Sequence, residues 1–221
     1  MREEEIKPTC AKCSKNPCYS DPEAKKPKFC PMINKKEVIE EAMKEYKGEI
    51  LNFYQASARQ ERDGYLRPSE VIHPIKCRVE EIMEFAEKME YKSLGIAFCI
   101  GLKEETSMLT KILENNGFDV VSVCCKCGAF DKEYIGLKDE DKIKPGRHES
   151  MCNPISQAAI LNDEKTEFNI VLGLCVGHDS LFFKYSEAPT TVLAAKDRLL
   201  GHNPLAALYS HYYSRLLKKK D

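Results

Sequence analysis

Apolar residues recur along this chain at two different spacings, and the places where the spacing changes mark its elements. After Asn34, a residue suited to capping, Val38, Ile39, Ala42, Met43, Tyr46, Ile50, Phe53 and Tyr54 follow three- and four-residue steps. That stripe predicts a long N-terminal helix, ended by Gly64 and Pro68. Val79, Ile82, Met83, Phe85, Ala86 and Met89 repeat the helical step between Pro74 and Tyr91. The period then collapses into an unbroken apolar run from Ser93 to Ile100, which predicts a buried strand.

From this point strands and helices alternate. Gly101 precedes a predicted helix through Met108, Leu109, Ile112 and Leu113 that Asn115-Asn116-Gly117 closes. Phe118 to Val123 reads as a second strand, followed by a polar loop of about twenty residues. Predicted next are a helix from Pro154 to Leu161, a strand from Phe168 to Leu174 and a helix around Ser180 to Tyr185. A strand at Thr190 to Ala195 and a helix from Pro204 to Leu217 finish the chain. Alternation with uniformly apolar strands predicts an α/β fold: an open, mostly parallel, Rossmann-like sheet with helices on both faces. The division expected is residues 1–33 as a cysteine-rich, metal-binding segment and 34–221 as the α/β domain.

Composition narrows the functional classes. The chain has 221 residues, 43% of them hydrophobic, and a net charge of −1. Such balance gives no electrostatic reason to expect a nucleic-acid partner, and no apolar run approaches the ~20 residues of a membrane span. The Lys218-Lys219-Lys220 run reads as a solvated helix end. The chain opens Met-Arg-Glu-Glu-Glu without an apolar signal segment, so a cytoplasmic location with reduced thiols is expected.

Reduced thiols change the picture, because the chain has eleven cysteines. Four lie in the head as C-x2-C-x4-C-x11-C, at Cys10, Cys13, Cys18 and Cys30, inside a lysine-rich stretch with little core of its own. A pair separated by two residues brings both sulfurs to one centre, and a loop-rich segment gains a folding staple from a metal. Zinc and an iron–sulfur cluster both remain open here; the spacing matches neither the bacterial nor the plant ferredoxin pattern.

Most of the other cysteines fall at strand ends. Cys99 follows the first strand, Cys124 and Cys125 the second, and Cys175 the third, with Cys127 a few residues on. Ligands of open parallel sheets bind outside the carboxyl ends of strands. Cys152-Asn153-Pro154 precedes a helix whose N-terminus favours a thiolate. Cys127, Cys152 and Cys175 are therefore expected to converge on one crevice, with Cys99 and Cys125 nearby. Cys77 and Cys124 read as space-filling thiols. Three thiolates suit zinc with an open position or a 4Fe–4S cluster with an accessible iron, and soft sulfur ligands argue against magnesium and calcium.

Proton-transfer candidates cluster in Gly173-Leu174-Cys175-Val176-Gly177-His178-Asp179-Ser180. There Cys175 would face the crevice, while His178 and Asp179 open the next helix. Lys196, Asp197, Arg198 and His202 form a second polar group; Lys132, Glu133, Arg147, His148 and Glu149 are further candidate substrate contacts. Several familiar chemistries are excluded. Gly101-Leu102-Lys103-Glu104-Glu105 replaces a dinucleotide fingerprint, and its acids would repel a pyrophosphate. There is no Walker loop, nucleophile elbow or zinc-deaminase signature.

The cysteine head, Arg78-Val79-Glu80-Glu81-Ile82, Ile96-Ala97-Phe98-Cys99-Ile100-Gly101-Leu102, Cys127-Gly128, Met151-Cys152-Asn153-Pro154, the segment 173–180 and Lys196-Asp197-Arg198 resemble one family across nearly the whole chain. It is an uncharacterised metal-binding family of anaerobic archaea and bacteria, whose four N-terminal cysteines were proposed to bind zinc. The resemblance implies metal binding and an anaerobe's cytoplasm, but no activity. By arrangement alone, the three-cysteine crevice is similar to sulfur-transfer enzymes whose open-site cluster binds sulfide.

These readings lead to one principal expectation. Cys10, Cys13, Cys18 and Cys30 hold zinc or an iron–sulfur cluster, and Cys127, Cys152 and Cys175 hold a 4Fe–4S cluster. The second centre would act on a small, sulfur-bearing substrate with Cys175, His178 and Asp179 in catalysis, in a non-redox sulfur-transfer or lyase-type reaction. Two alternatives stand beside it: an electron-transfer or metal-handling protein serving a redox partner, and a metal-free nucleophile built from Cys175 and His178.

Overall fold

The computed structural model describes residues 6–66 and 71–218. The chain divides into two compact units, Met1–Arg62 and Asp63–Asp221. Pro68 and the Lys219-Lys220 end lie outside the described residues.

The first unit is helical. A single turn at Cys10–Lys12 leads to α1 (Pro17–Ser20), α2 (Pro31–Asn34), α3 (Lys36–Met43) and α4 (Gly48–Asp63). The stripe predicted as one long helix is thus two helices, α3 and α4, and Asn34, expected as its cap, ends the short α2 before them. Lys35 leaves the helical region between α2 and α3 (φ −135°, ψ 29°), and Gly48 takes a left-handed φ of +53° before α4. Val38, Ile39, Met43, Tyr46, Ile50 and Tyr54 follow helical spacing, yet all are exposed.

The second unit is the α/β domain. A two-stranded antiparallel ribbon, β1 (Tyr65–Leu66) with β2 (His73–Pro74), precedes α5 (Arg78–Lys88). Then come β3 (Ser93–Phe98), α6 (Lys103–Asn115), β4 (Asp119–Cys124), α7 (Pro154–Asp163), β5 (Phe168–Leu172), α8 (His178–Tyr185) and β6 (Thr190–Ala194). The last predicted helix is two short ones, α9 (Ala206–Tyr209) and α10 (His211–Leu216). Ser210, extended at ψ 120°, separates them. Strands β3 to β6 form one parallel sheet in the order β4-β3-β5-β6.

That order explains the apolar pattern. Central strands β3 and β5 are buried almost throughout, whereas β4 and β6 lie at the edges and are half exposed. The chain runs from β3 outward to β4, then back across β3 to β5. With right-handed crossovers this reversal puts α6 on one face and α7 with α8 on the other. Side chains alternate accordingly. Ala97, Cys99, Val123, Cys125 and Val171 share a core cluster with Ala158 and Leu161 of α7 and Phe182 of α8. Phe168 turns toward α5, its ring 5.3 Å from that of Phe85. The reversal lies between β3 and β5, so the crevice outside their carboxyl ends is the place where such sheets bind ligands.

Close packing on the α7 face depends on Gly95. A Cβ there would stand 2.0 Å from Asn169 Oδ1 and 3.0 Å from Leu161 Cδ1. Asn169 is fully buried and cannot easily yield: its Oδ1 accepts from Thr166 Oγ1 at 2.8 Å and its Nδ2 donates to Ser186 Oγ at 2.9 Å. Gly95→Ala should therefore destabilise the domain by roughly 1–3 kcal/mol, the usual cost of overpacking, read as a lower midpoint in urea denaturation.

Candidate functional site

The register of β3 on β4 pairs Phe98 with Cys124. One step further places Cys99 beside Cys125, both turned to the α7 face because side chains alternate along a strand. Cys125 N donates to Phe98 O at 2.8 Å, and Asn153 N donates to Cys125 O at 2.8 Å. The second bond ties the start of α7 to the end of β4 and delivers Cys152. Asn153 also caps that helix, its Oδ1 accepting from Ser156 N at 3.1 Å. Below them Gln157 is fully buried and donates from Nε2 to Val123 O at 2.7 Å and to Phe98 O at 3.2 Å. It clamps the ends of β3 and β4 together.

Three sulfurs from distant parts of the chain thereby stand in a row. Cys125 lies beside both Cys99 and Cys152 in the cluster and influences the protonation of each. Its Sγ also accepts from Ile100 N at 3.4 Å. Each end of the row has an ammonium. Lys126 Nζ lies 3.3 Å from Cys152 Sγ and donates to Ser150 O at 2.6 Å. Lys196, from the segment after β6, lies near Cys99 and favours its thiolate. Its path crosses two glycines: a Cβ on Gly101 would sit 3.2 Å from Lys196 Nζ, and one on Gly173 3.9 Å from Lys196 Cδ. Gly173 is fixed twice over, by a φ of +69° and by Leu102 Cδ1, which a Cβ would approach to 2.2 Å.

The row polarises its own protons. The hydrogen bond from Cys125 holds the Cys152 thiol at about 5; burial opposes this, while Lys126 and the charge of His178 reinforce it. Cys125 likewise holds Cys99 at about 5 against burial, helped by the Gly101 amide and Lys196. Cys125 itself is pushed strongly up, because its proton serves Cys152 and Cys99 and because it is buried.

The other expected site residues are distributed as follows. Cys127 is turned toward Asn153 O at 3.8 Å and its thiol is raised by burial and by nearby Cys124. Cys175, in the loop after β5, accepts from Arg198 Nη2 at 3.1 Å. Of the expected trio, then, only Cys152 belongs to the row. His178 is close enough to act electrostatically on Cys152. Asp179 Oδ1 accepts from Ser180 N at 2.8 Å. Asp197 Oδ1 caps the turn through Leu199 N and Leu200 N, and His202 Nδ1 accepts from Asp197 N at 3.1 Å. Cys77, expected within a helix as filler, is exposed at the N-cap of α5.

In the N-terminal unit Cys10 and Cys18 are exposed, Cys13 is half-buried and Cys30 is buried. Among the described residues, no group of three or more His, Cys, Asp or Glu side chains gathers as the ligands of a metal ion. This holds for the four N-terminal cysteines, for Cys127 with Cys152 and Cys175, and for the row. The donor chemistry of the row nevertheless suits a soft ion: contiguous thiols, two favoured as thiolates, with ammonium counter-charges.

The loop candidates serve the loop. Between β4 and α7 the chain leaves the sheet, and Asp131 and Ser150 pair in an antiparallel bridge at the neck. Lys142, its side chain 4% exposed, lies 2.7 Å from Glu133 Oε1, 3.3 Å from Asp131 Oδ1 and 3.3 Å from Asp139 Oδ1. It also donates to Arg147 O at 3.1 Å, while Lys132 binds Glu149 at 2.6 Å and His148 lies 2.9 Å from Asp131. Amide donation from Glu133, then Glu149, holds the Asp131 carboxyl at about 2. Lys132, Glu133, Arg147, His148 and Glu149 thus fix the excursion whose far end supplies Cys152.

No helix among the described residues is long and apolar enough to cross a membrane. A family model described as "Protein of unknown function (DUF1847)" matches residues 30–193, a span that contains all three sulfurs of the row but only the last of the four N-terminal cysteines. An uncharacterized protein of Methanocaldococcus jannaschii is 47% identical over 209 residues, covering 94% of this chain and 97% of that protein. No solved structure was found to match the chain.

Two measurements check the site. Because the folded Cys152 thiol titrates at about 5, below an ordinary thiol, its alkylation by iodoacetamide in metal-free protein should be close to its plateau by pH 7 and fall only as the pH drops toward 5. Cys125→Ala should move that midpoint upward more than Lys126→Met does, as peptide mapping of the modified Cys152 would record. Lys142→Met leaves its carboxylate partners uncompensated. Limited proteolysis should then cut within residues 131–150 sooner, while cleavage in the sheet strands stays unchanged.

Proposed function

As this chain belongs to the family of proteins of unknown function DUF1847, its chemistry must be read from its own residues, and we propose that it binds a soft metal ion through the thiolates of Cys99, Cys125 and Cys152. The observation carrying this reading is that three cysteines, far apart in sequence, pack together at the carboxyl edge of the sheet. Neighbouring thiolates on one ion are close to each other, as these sulfurs are. A four-iron cluster would interpose its own iron and sulfide, so thiols packed this closely together support a single ion such as zinc. This replaces Cys127 and Cys175 of the expected ligand set by Cys99 and Cys125, and keeps Cys152. Three protein ligands leave a coordination position that supplies Lewis-acid chemistry when the ion is bound. His178 would then hold or pass a proton beside Cys152, and Lys126 and Lys196 offset the thiolate charge. Cys10, Cys13, Cys18 and Cys30 supply a second, structural thiolate set within the N-terminal unit; the two-residue spacing of Cys10 and Cys13 supports it.

Elemental analysis of anaerobically purified protein tests the assignment. Cys125→Ser should lose about one metal ion per chain relative to wild type, whereas Cys175→Ser should lose none. Unchanged metal in Cys125→Ser overturns the crevice site. A loss in Cys175→Ser overturns the choice of ligands. Visible absorption that tracks iron and sulfide content would overturn the single ion in favour of a cluster.

A further inference from the structure

The net charge of −1 conceals a strongly basic stretch in the first unit. Between Ile6 and Lys36 stand eight lysines, and the acids are Asp21 and Glu23 alone. Four of those lysines surround one cavity of about 280 Å³. Lys12, Ser14 and Lys15 line it from one segment, and Lys25, Lys26 and Phe29 from another. Short turns present both segments: Cys13 N donates to Cys10 O at 2.9 Å, and Cys30 N to Pro27 O at 2.9 Å. Lys12, Lys15 and Lys25 are exposed, and Phe29 is half-buried. Lys26 Nζ donates to Pro22 O, a carbonyl that anchors the ammonium without cancelling its charge. Neither acid of this stretch lines the cavity, and Asp21 Oδ1 accepts from Glu23 N at 3.1 Å.

Ammonium groups gathered without a counter-charge repel one another, and an anion entering between them relieves that repulsion. Phosphate suits such a place, because its oxygens accept from several lysines at once. A bare phosphate would leave most of the volume and the Phe29 ring unused. A planar base fills both, since every base offers a face that stacks on an aromatic ring. Ser14 adds a hydroxyl able to donate to a phosphate oxygen or a sugar. We propose that this cavity binds a nucleotide, with its phosphates among Lys12, Lys15, Lys25 and Lys26 and its base against Phe29. The ligand is a free nucleoside phosphate or one nucleotide of a single strand; the chemistry recognised is the same. Cys13 also borders the cavity, so the site adjoins the N-terminal thiolate set but is built from other side chains.

Titration calorimetry of the full-length protein as purified, at low salt without magnesium, tests this with three probes: ATP, inorganic tripolyphosphate and a single-stranded oligouridylate octamer. ATP should bind once per chain, and tripolyphosphate roughly tenfold more weakly for want of a base to stack. Lys12→Gln and Lys25→Gln should each weaken both ligands by about tenfold, the loss of one charge-assisted hydrogen bond. Phe29→Leu should bring ATP to the level of tripolyphosphate and leave tripolyphosphate unchanged, a split that a misfolded head would not produce. Lys36→Gln, outside the cavity, should leave ATP binding unchanged. An octamer bound more than tenfold tighter than ATP, and weakened by the same substitutions, identifies a single strand as the source. A smaller advantage identifies the free nucleotide. Circular dichroism and elemental analysis of each variant verify that its fold and metal content are those of wild type, which keeps a failure of the thiolate set distinct from a failure of this site. Binding of ATP and octamer that ignores both Lys12→Gln and Lys25→Gln would overturn the proposal. So would a tripolyphosphate that binds as tightly as ATP to wild type.

Discussion

The register between β3 and β4 is the constraint from which the rest of this site follows. A parallel pair aligned with Phe98 opposite Cys124 carries Cys99 and Cys125 out of the sheet side by side on one face. A slip of one residue would turn one of the two thiols to the other side. Two features of α7 hold the register at its open end, where ladder bonds run out. Asn153 N bonds Cys125 O, and the buried amide of Gln157 spans the carbonyls of Phe98 and Val123. Gln157 Oε1 itself has no hydrogen-bond partner. Leaving a buried acceptor unpaired carries a cost, so the bridging role of its Nε2 end is maintained against that cost.

Charge does the next part. Thiols in contact cannot all ionise in a half-buried place, because each new thiolate is repelled by the last and loses its water. One proton retained on Cys125, with an ammonium at either end, resolves this conflict. The two lysines arrive by different routes. Lys126 directly follows Cys125, while Lys196 reaches back from the far edge strand, over ground left open by Gly101 and Gly173. Cys152 is supplied by a loop that would be costly to order without its own centre. Lys142 gives it one, an almost enclosed ammonium ringed by carboxylates and a carbonyl. The polar residues of that excursion therefore act on the crevice only through the position of Cys152.

How much of this was legible beforehand differs by element. The alternation of short apolar runs with helical stripes was enough for the α/β class, and β3, α6, β4, α7, β5, α8 and β6 stand within a few residues of their predicted bounds. Strand ends were legible too, and with them the edge of the sheet at which Cys99, Cys125 and Cys175 emerge. The N-terminal stripe was less informative, since its apolar spacing continues across the break between Met43 and Gly48, and a backbone turn leaves no mark on a period.

What the sequence by itself determined, then, is which thiols leave the sheet on its carboxyl side and that soft-donor chemistry is available there. Which sulfurs touch was decided only in three dimensions. Cys175 and Cys127 have the same flanking signals as Cys152, but Arg198 engages the first and Asn153 O the second. Cys99 and Cys125 look like core residues in one dimension and are indeed buried, yet they are the neighbours Cys152 meets. Contact depends on strand order, register and side-chain parity together. A linear pattern fixes parity within a strand, but not which strand lies beside it, because that is set by crossovers whose packing involves the whole domain.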